Sequence, residues 1–174
     1  MEIVRVLHRD DAKAAIVRGF PDELDWSTGS AAPRESLLVL ASDGKVYHID
    51  ADRADAAEQK FKDTHAALRD FLEDDDLWFQ LPLAQGKKFC DEESAKRDDD
   101  MYCWVVDAPT QVSLNGVKGL SAKSVTAFTL GFRTNPDDSE IELVPGVGII
   151  RYGYHHHGTV ADTELQLVEF HAGS

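Results

Sequence analysis

Three consecutive imidazoles, His155-His156-His157, are the side chains of this 174-residue chain that come closest to a chemistry. On a strand, His155 and His157 point to one face and His156 to the other. Two imidazoles at i and i+2 bind zinc or copper when a third ligand converges, and His48, His171 or a carboxylate are the candidates. A metal-binding protein or metal-dependent hydrolase using His155 and His157 is one reading of the triplet. The plainer one is an exposed turn of polar rings ahead of Gly158. Ser36, Ser42 and His48 lie in no G-x-S-x-G elbow, so acyl transfer has no support. Gly146-Val147-Gly148 leads into a strand and not a helix, which excludes a phosphate cradle. No catalytic residue and no cofactor is expected from these patterns.

Two cysteines, Cys90 and Cys103, bracket a polar linker. If their flanks are strands of a long-looped hairpin, the sulfurs come within disulfide range across the ladder. That pairing is favoured over two unpaired thiols, and it implies an oxidising compartment. Neither cysteine belongs to a C-x-x-C or sits beside a histidine, which argues against a redox or nucleophilic role.

The charge balance is 18 basic against 32 acidic residues, a net of −14. Such a surface repels phosphate backbones and anionic headgroups, so nucleic acid is excluded as a partner and a cationic one is allowed. The acids gather at Asp74–Asp76, Asp91–Glu93, Asp98–Asp100 and Asp137-Asp138. None of these runs has the D-x-D-x-D-G alternation of a calcium loop, so they read as solvated loop tips. Hydrophobic residues make up 43% of the chain, a globular composition. No apolar run approaches the roughly 18 residues a transmembrane helix needs.

The elements that must position these groups are mostly strands. Ile3–Leu7 and Ala14–Arg18 read as one hairpin, and Ser36–Ser42 and Lys45–Asp50 as another about Asp43-Gly44, a type I′ signal. Between them, a loop holds Trp26 and Gly29. Phe61, His65, Leu68, Phe71 and Leu72 recur at helical spacing and predict a helix over 54–73, capped by Asp55 and Glu58. Its one-sided stripe predicts packing on a sheet. Asn115-Gly116 signals a further hairpin. Phe128, Leu130 and Phe132 share one strand face. From 139 to 170 the punctuation at Pro145-Gly146 and His157-Gly158 reads as a meander, with a bulge near Leu167-Val168. No linker or repeat is visible, so a single domain, 1–174, is expected. The class is α+β, mainly antiparallel β. A dozen strands predict one strongly curved sheet, a half-barrel or barrel, with the long amphipathic helix on its concave face.

Leu77-Trp78-Phe79-Gln80-Leu81-Pro82-Leu83 with Gly86, Tyr102–Val106, and Val144-Pro145-Gly146-Val147-Gly148-Ile149-Ile150-Arg151 together resemble motifs of exported bacterial proteins of uncharacterised function. Those carry an "fPL..G..W" opening and a closing PGVG, and they are similar to LolA-like and lipocalin-like curved sheets. Lys87-Lys88-Phe89 stands where that pattern has a tryptophan. The resemblance implies an extracytoplasmic location, periplasmic or secreted, with the signal peptide absent from this chain; the alternative is cytoplasmic. It also implies a non-enzymatic binding protein for an apolar small molecule or lipid, or for a protein or lipoprotein partner. Trp78, Phe79, Trp104, Phe128 and Phe132 would line its core or cavity.

Overall fold

The computed structural model describes residues 1–21, 33–121, 124–158 and 161–171. The loop with Trp26 and Gly29 lies outside them. The chain divides into two compact units, residues 1–82 and 83–174.

The first unit is a five-stranded antiparallel sheet in chain order: β1 (Glu2–Arg9), β2 (Ala12–Arg18), β3 (Glu35–Ala41), β4 (Lys45–Ile49) and β5 (Leu77–Gln80). Both predicted hairpins form. The Asp43-Gly44 turn has only Gly44 at positive φ, +86°, and the Gly44 amide bonds the Ala41 carbonyl. That is a turn of three residues ending in a left-handed glycine rather than a type I′ pair.

Between β4 and β5 lies α1 (Ala51–Lys62). Alanines and long straight side chains favour it, Asp50 caps it by accepting from the Arg53 amide, and Lys60 and Lys62 suit its C-terminal end. The cap is therefore Asp50 and not Asp55. Nor does the helix reach residue 73. It stops at Asp63, whose carboxylate bonds the His65 amide and offers the backbone a turn instead. Leu68–Asp70 and Asp74–Asp76 form separate 3₁₀ turns, and His65 is exposed. As predicted, the helix packs on the sheet. Ala54, Ala57 and Phe61 meet Ile16, Leu37, Val39 and Ile49, with Phe71 delivered to the same core by the 3₁₀ turn. On the sheet's other face Phe20 stacks on His48 at 4.2 Å and meets Trp78 edge-on at 5.2 Å.

Glu58 belongs to this core. Its side chain is 4% exposed, and Arg5 of β1 grips it through two hydrogen bonds of 2.9 and 2.7 Å while Lys62 adds a third contact at 2.8 Å. The Arg5 hydrogen bonds are the main reason its carboxyl is held at about 2.

The second unit is a seven-stranded antiparallel sheet, ordered β12-β11-β10-β9-β7-β6 with β8 also paired to β9. Its strands are β6 (Lys88–Phe89), β7 (Trp104–Val106), β8 (Thr110–Val112), β9 (Val125–Arg133), β10 (Asp137–Val144), β11 (Gly148–His156) and β12 (Ala161–Gln166). Among the described residues the twelve strands thus fall into two sheets and not one layer, and neither strand order returns to its start. The predicted meander is β10–β12. Its Pro145-Gly146 corner has Gly146 at φ +81° and a Val147 amide bonded to the Val144 carbonyl, as a proline-first turn requires. Among the described residues Asn115-Gly116 forms a turn but no hairpin, because the chain after it makes a parallel bridge, Lys118 to Glu169. The ladder of β12 ends at Gln166, so Leu167-Val168, where the bulge is expected, lies beyond the strand. At that bridge the chains approach so closely that a Cβ on Gly119 would lie 1.9 Å from the Phe170 carbonyl oxygen. Leu167 and Leu120 close over a cluster formed by Leu114, Ala127, Val144 and Ile150.

Candidate functional site: a charged groove across the second sheet

Strand alternation separates the two faces of the second sheet. Val106, Leu130, Ile141 and Tyr152 point to one face and are buried. The other face carries the polar residues, and the strand register arranges them in rows running across the strands. One row is Arg133, Asp138, His155 and Asp162. The next is Val105, Gly131, Glu140, Gly153 and Glu164. A third is Thr129, Glu142, Arg151 and Gln166. The middle row holds two glycines on either side of Glu140, and a Cβ on Gly131 would meet nothing within 4 Å. The missing side chains leave a concavity of about 700 Å³, rimmed further by Asp99, Asp100 and Asp107.

Seven carboxylates face this groove against two guanidiniums. Arg151 lies among Glu140, Glu142 and Glu164 at 3.2–3.7 Å, one cation shared by three anions. Arg133 donates to the Asp99 carbonyl oxygen at 2.9 Å. Asp99 is held at about 2 chiefly by its hydrogen bond from Arg97, and Glu164 is lowered first by Gln166 and then by Arg151. Both are anionic at neutral pH. Asp138 is a further acceptor. Its Oδ2 lies 2.7 Å from His157 Nε2, whereas Oδ1 is shielded from solvent and has no hydrogen-bond partner among the described residues.

The histidine triplet sits at one end of the groove. His155 and His157 share its face, their ring centroids 4.7 Å apart, and His156 lies on the reverse face. Each ring meets a carboxylate. His155 Nδ1 pairs with Asp162, His156 Nδ1 with Asp137 at 2.6 Å, and His157 with Asp138. Tyr154 donates to the same Asp137 at 2.7 Å, which with His156 lowers that carboxyl. Among the described residues no group of three or more His, Cys, Asp or Glu is arranged to hold a metal ion. His171 meets Glu169 at 3.0 Å, and His48 stacks on Phe20 in the first unit.

Cys90 and Cys103 form a disulfide with Cα atoms 4.8 Å apart. It ties the acidic loop between them to the groove, which Cys103 itself lines. Asp91 turns that loop by accepting from the Glu93 and Ser94 amides and the Ser94 hydroxyl. Four of the five aromatic residues expected to line a core or a cavity are packed in pairs. Trp78 and Phe79 are buried 4.8 Å apart, and Trp104 and Phe132 pair across β7 and β9 at 5.2 Å.

The groove itself is a feature that motif reasoning missed. Its signal was period two: Asp138-x-Glu140-x-Glu142, Arg151-x-Gly153-x-His155 and Asp162-x-Glu164-x-Gln166 alternate polar or glycine positions with the rest. Among the described residues no helix is long and apolar enough to cross a membrane. No family model, curated protein or solved structure matches the chain.

Proposed function

We propose that this is an extracytoplasmic, non-enzymatic binding protein that takes a cationic ligand in the groove of its second unit. One observation carries the reading: seven carboxylates and two guanidiniums surround an open concavity whose floor is cleared by Gly131 and Gly153. Charge density of one sign in a concave surface concentrates counter-ions of the other. Asp138, whose shielded Oδ1 has no hydrogen-bond partner among the described residues, adds an under-compensated carboxylate to the lining. Export is supported by the disulfide and by the LolA-like and lipocalin-like resemblance. That resemblance favours an apolar ligand on a curved sheet, but the charged lining favours a cation.

The groove's dimensions suggest the ligand class. The middle row crosses five strands, four steps of about 4.8 Å, so it runs roughly 19 Å. An extended chain advances about 3.3 Å per residue, and a lysine-rich segment of some six residues spans that length. Calorimetry with an N-acetylated hexalysine peptide tests the reading. Binding is expected at 25 mM salt and should be largely lost at 300 mM, where the screening length falls below 10 Å. No binding at low salt, or binding indifferent to salt, overturns it.

A further inference from the structure

His155 lines the groove and the His157 ring packs against the His155 ring with centroids 4.7 Å apart, and each is paired with a carboxylate of the lining, Asp162 and Asp138. Resting on the cation-binding reading, we propose that His155 and His157 gate the groove by pH: when both take up protons, the end row changes sign and a bound cation is released.

The register gives the charges directly. With neutral imidazoles the row of Arg133, Asp138, His155 and Asp162 carries one positive and two negative groups, a net of −1. Protonation of His155, and of His157 on Asp138, brings the row counted together with His157 to +1. Histidine is the side chain whose ordinary charge change falls between pH 5 and 8. The groups facing the two rings come from every neighbouring element: Asp138 from β10, Asp162 from β12, Arg133 from β9 beyond Asp138, and Asp99 and Asp100 from the loop at the rim. Both rings are about half exposed, so protons reach them without unfolding. On the reverse face His156, Tyr154 and Asp137 bond among themselves, and the sheet separates them from the ligand. The device therefore needs His155 and His157 and not His156.

The magnitude follows from Coulomb's law. A new charge about 7 Å from a bound cation, screened by water, weakens binding roughly threefold, and two weaken it about tenfold. The test uses the full chain and the acetylated hexalysine probe at constant low ionic strength, since lysine keeps its charge throughout the range. Affinity at pH 5.5 should be about tenfold below that at pH 8. The double variant His155→Asn/His157→Asn should lose most of the difference in affinity between the two pH values. The control His156→Asn should keep it, and unchanged near-ultraviolet circular dichroism verifies that each variant is folded. Equal affinity at both pH values overturns the gate and leaves the cation site standing. A pH dependence that survives in the double variant also overturns it, assigning the effect to other groups. Absence of probe binding at every pH overturns gate and site together.

Discussion

Glu58 in the first unit and Glu140 in the second are the same side chain in opposite service. Glu58 is 4% exposed and saturated by Arg5 and Lys62. Glu140 stands half exposed between two glycines and has one guanidinium at 3.4 Å, shared with two other carboxylates. The first unit covers one sheet face with a helix and uses buried charge to fix that helix to edge strand β1. The second leaves a sheet face open and concentrates charge on it. Burial with full hydrogen bonding makes a carboxylate structural; exposure with excess like charge makes it available to a partner.

The largest effect should come from the core of the first unit. Phe61→Ala removes a ring that is 1% exposed, and it should cost about 3–5 kcal/mol, read as a lower denaturation midpoint and faster hydrogen exchange in β2–β4. Glu58→Gln should come next. Because the folded carboxyl is lowered from 4.5 to about 2, its contribution is full above pH 4.5 and is lost as pH falls towards 2. The shift corresponds to roughly 3 kcal/mol. The variant should be less stable near neutrality and should lack that part of the acid-induced loss; an unchanged acid profile would make Glu58 no different from Glu140. The third prediction concerns the second unit. Cys90→Ala/Cys103→Ala opens a loop closed over 13 residues and should cost about 2–4 kcal/mol by urea denaturation. The smallest effect on stability belongs to Glu164→Gln on the groove. A change within about 0.5 kcal/mol is expected for this exposed position, together with hexalysine binding weakened about threefold. A large loss of stability there would erase the distinction between the two units.

What the sequence made legible was local. Asp43-Gly44 and Pro145-Gly146 announced their turns because left-handed backbone needs glycine, and both hairpins of the first sheet formed about the expected residues. The cysteines were readable as a pair bracketing one loop. The helix was overextended because Leu68, Phe71 and Leu72 keep helical spacing while reaching the core from a 3₁₀ turn. Apolar spacing reports which side chains are buried and does not record which backbone delivers them. A count of strands likewise says nothing about sheet membership, and a dozen strands became five and seven. The groove was hidden for a related reason. Gly131, Glu140 and Gly153 are neighbours only across β9, β10 and β11, and that adjacency exists once register is set.

The close approach at Gly119 has a practical consequence. Lys118 and Phe170 exchange backbone bonds at 2.8 and 3.0 Å with the opposite segment, through the Lys118 carbonyl and the Val168 carbonyl. Residues 167–170 therefore act as a buckle, not a tail. Trimming the gene after Gln166 would delete no sheet strand, yet it would strip Leu167 from its seat over Leu114 and Ile150 and expose a greasy patch. A shortened clone should be sticky on a gel-filtration column, whereas a fusion joined beyond His171 leaves the buckle fastened.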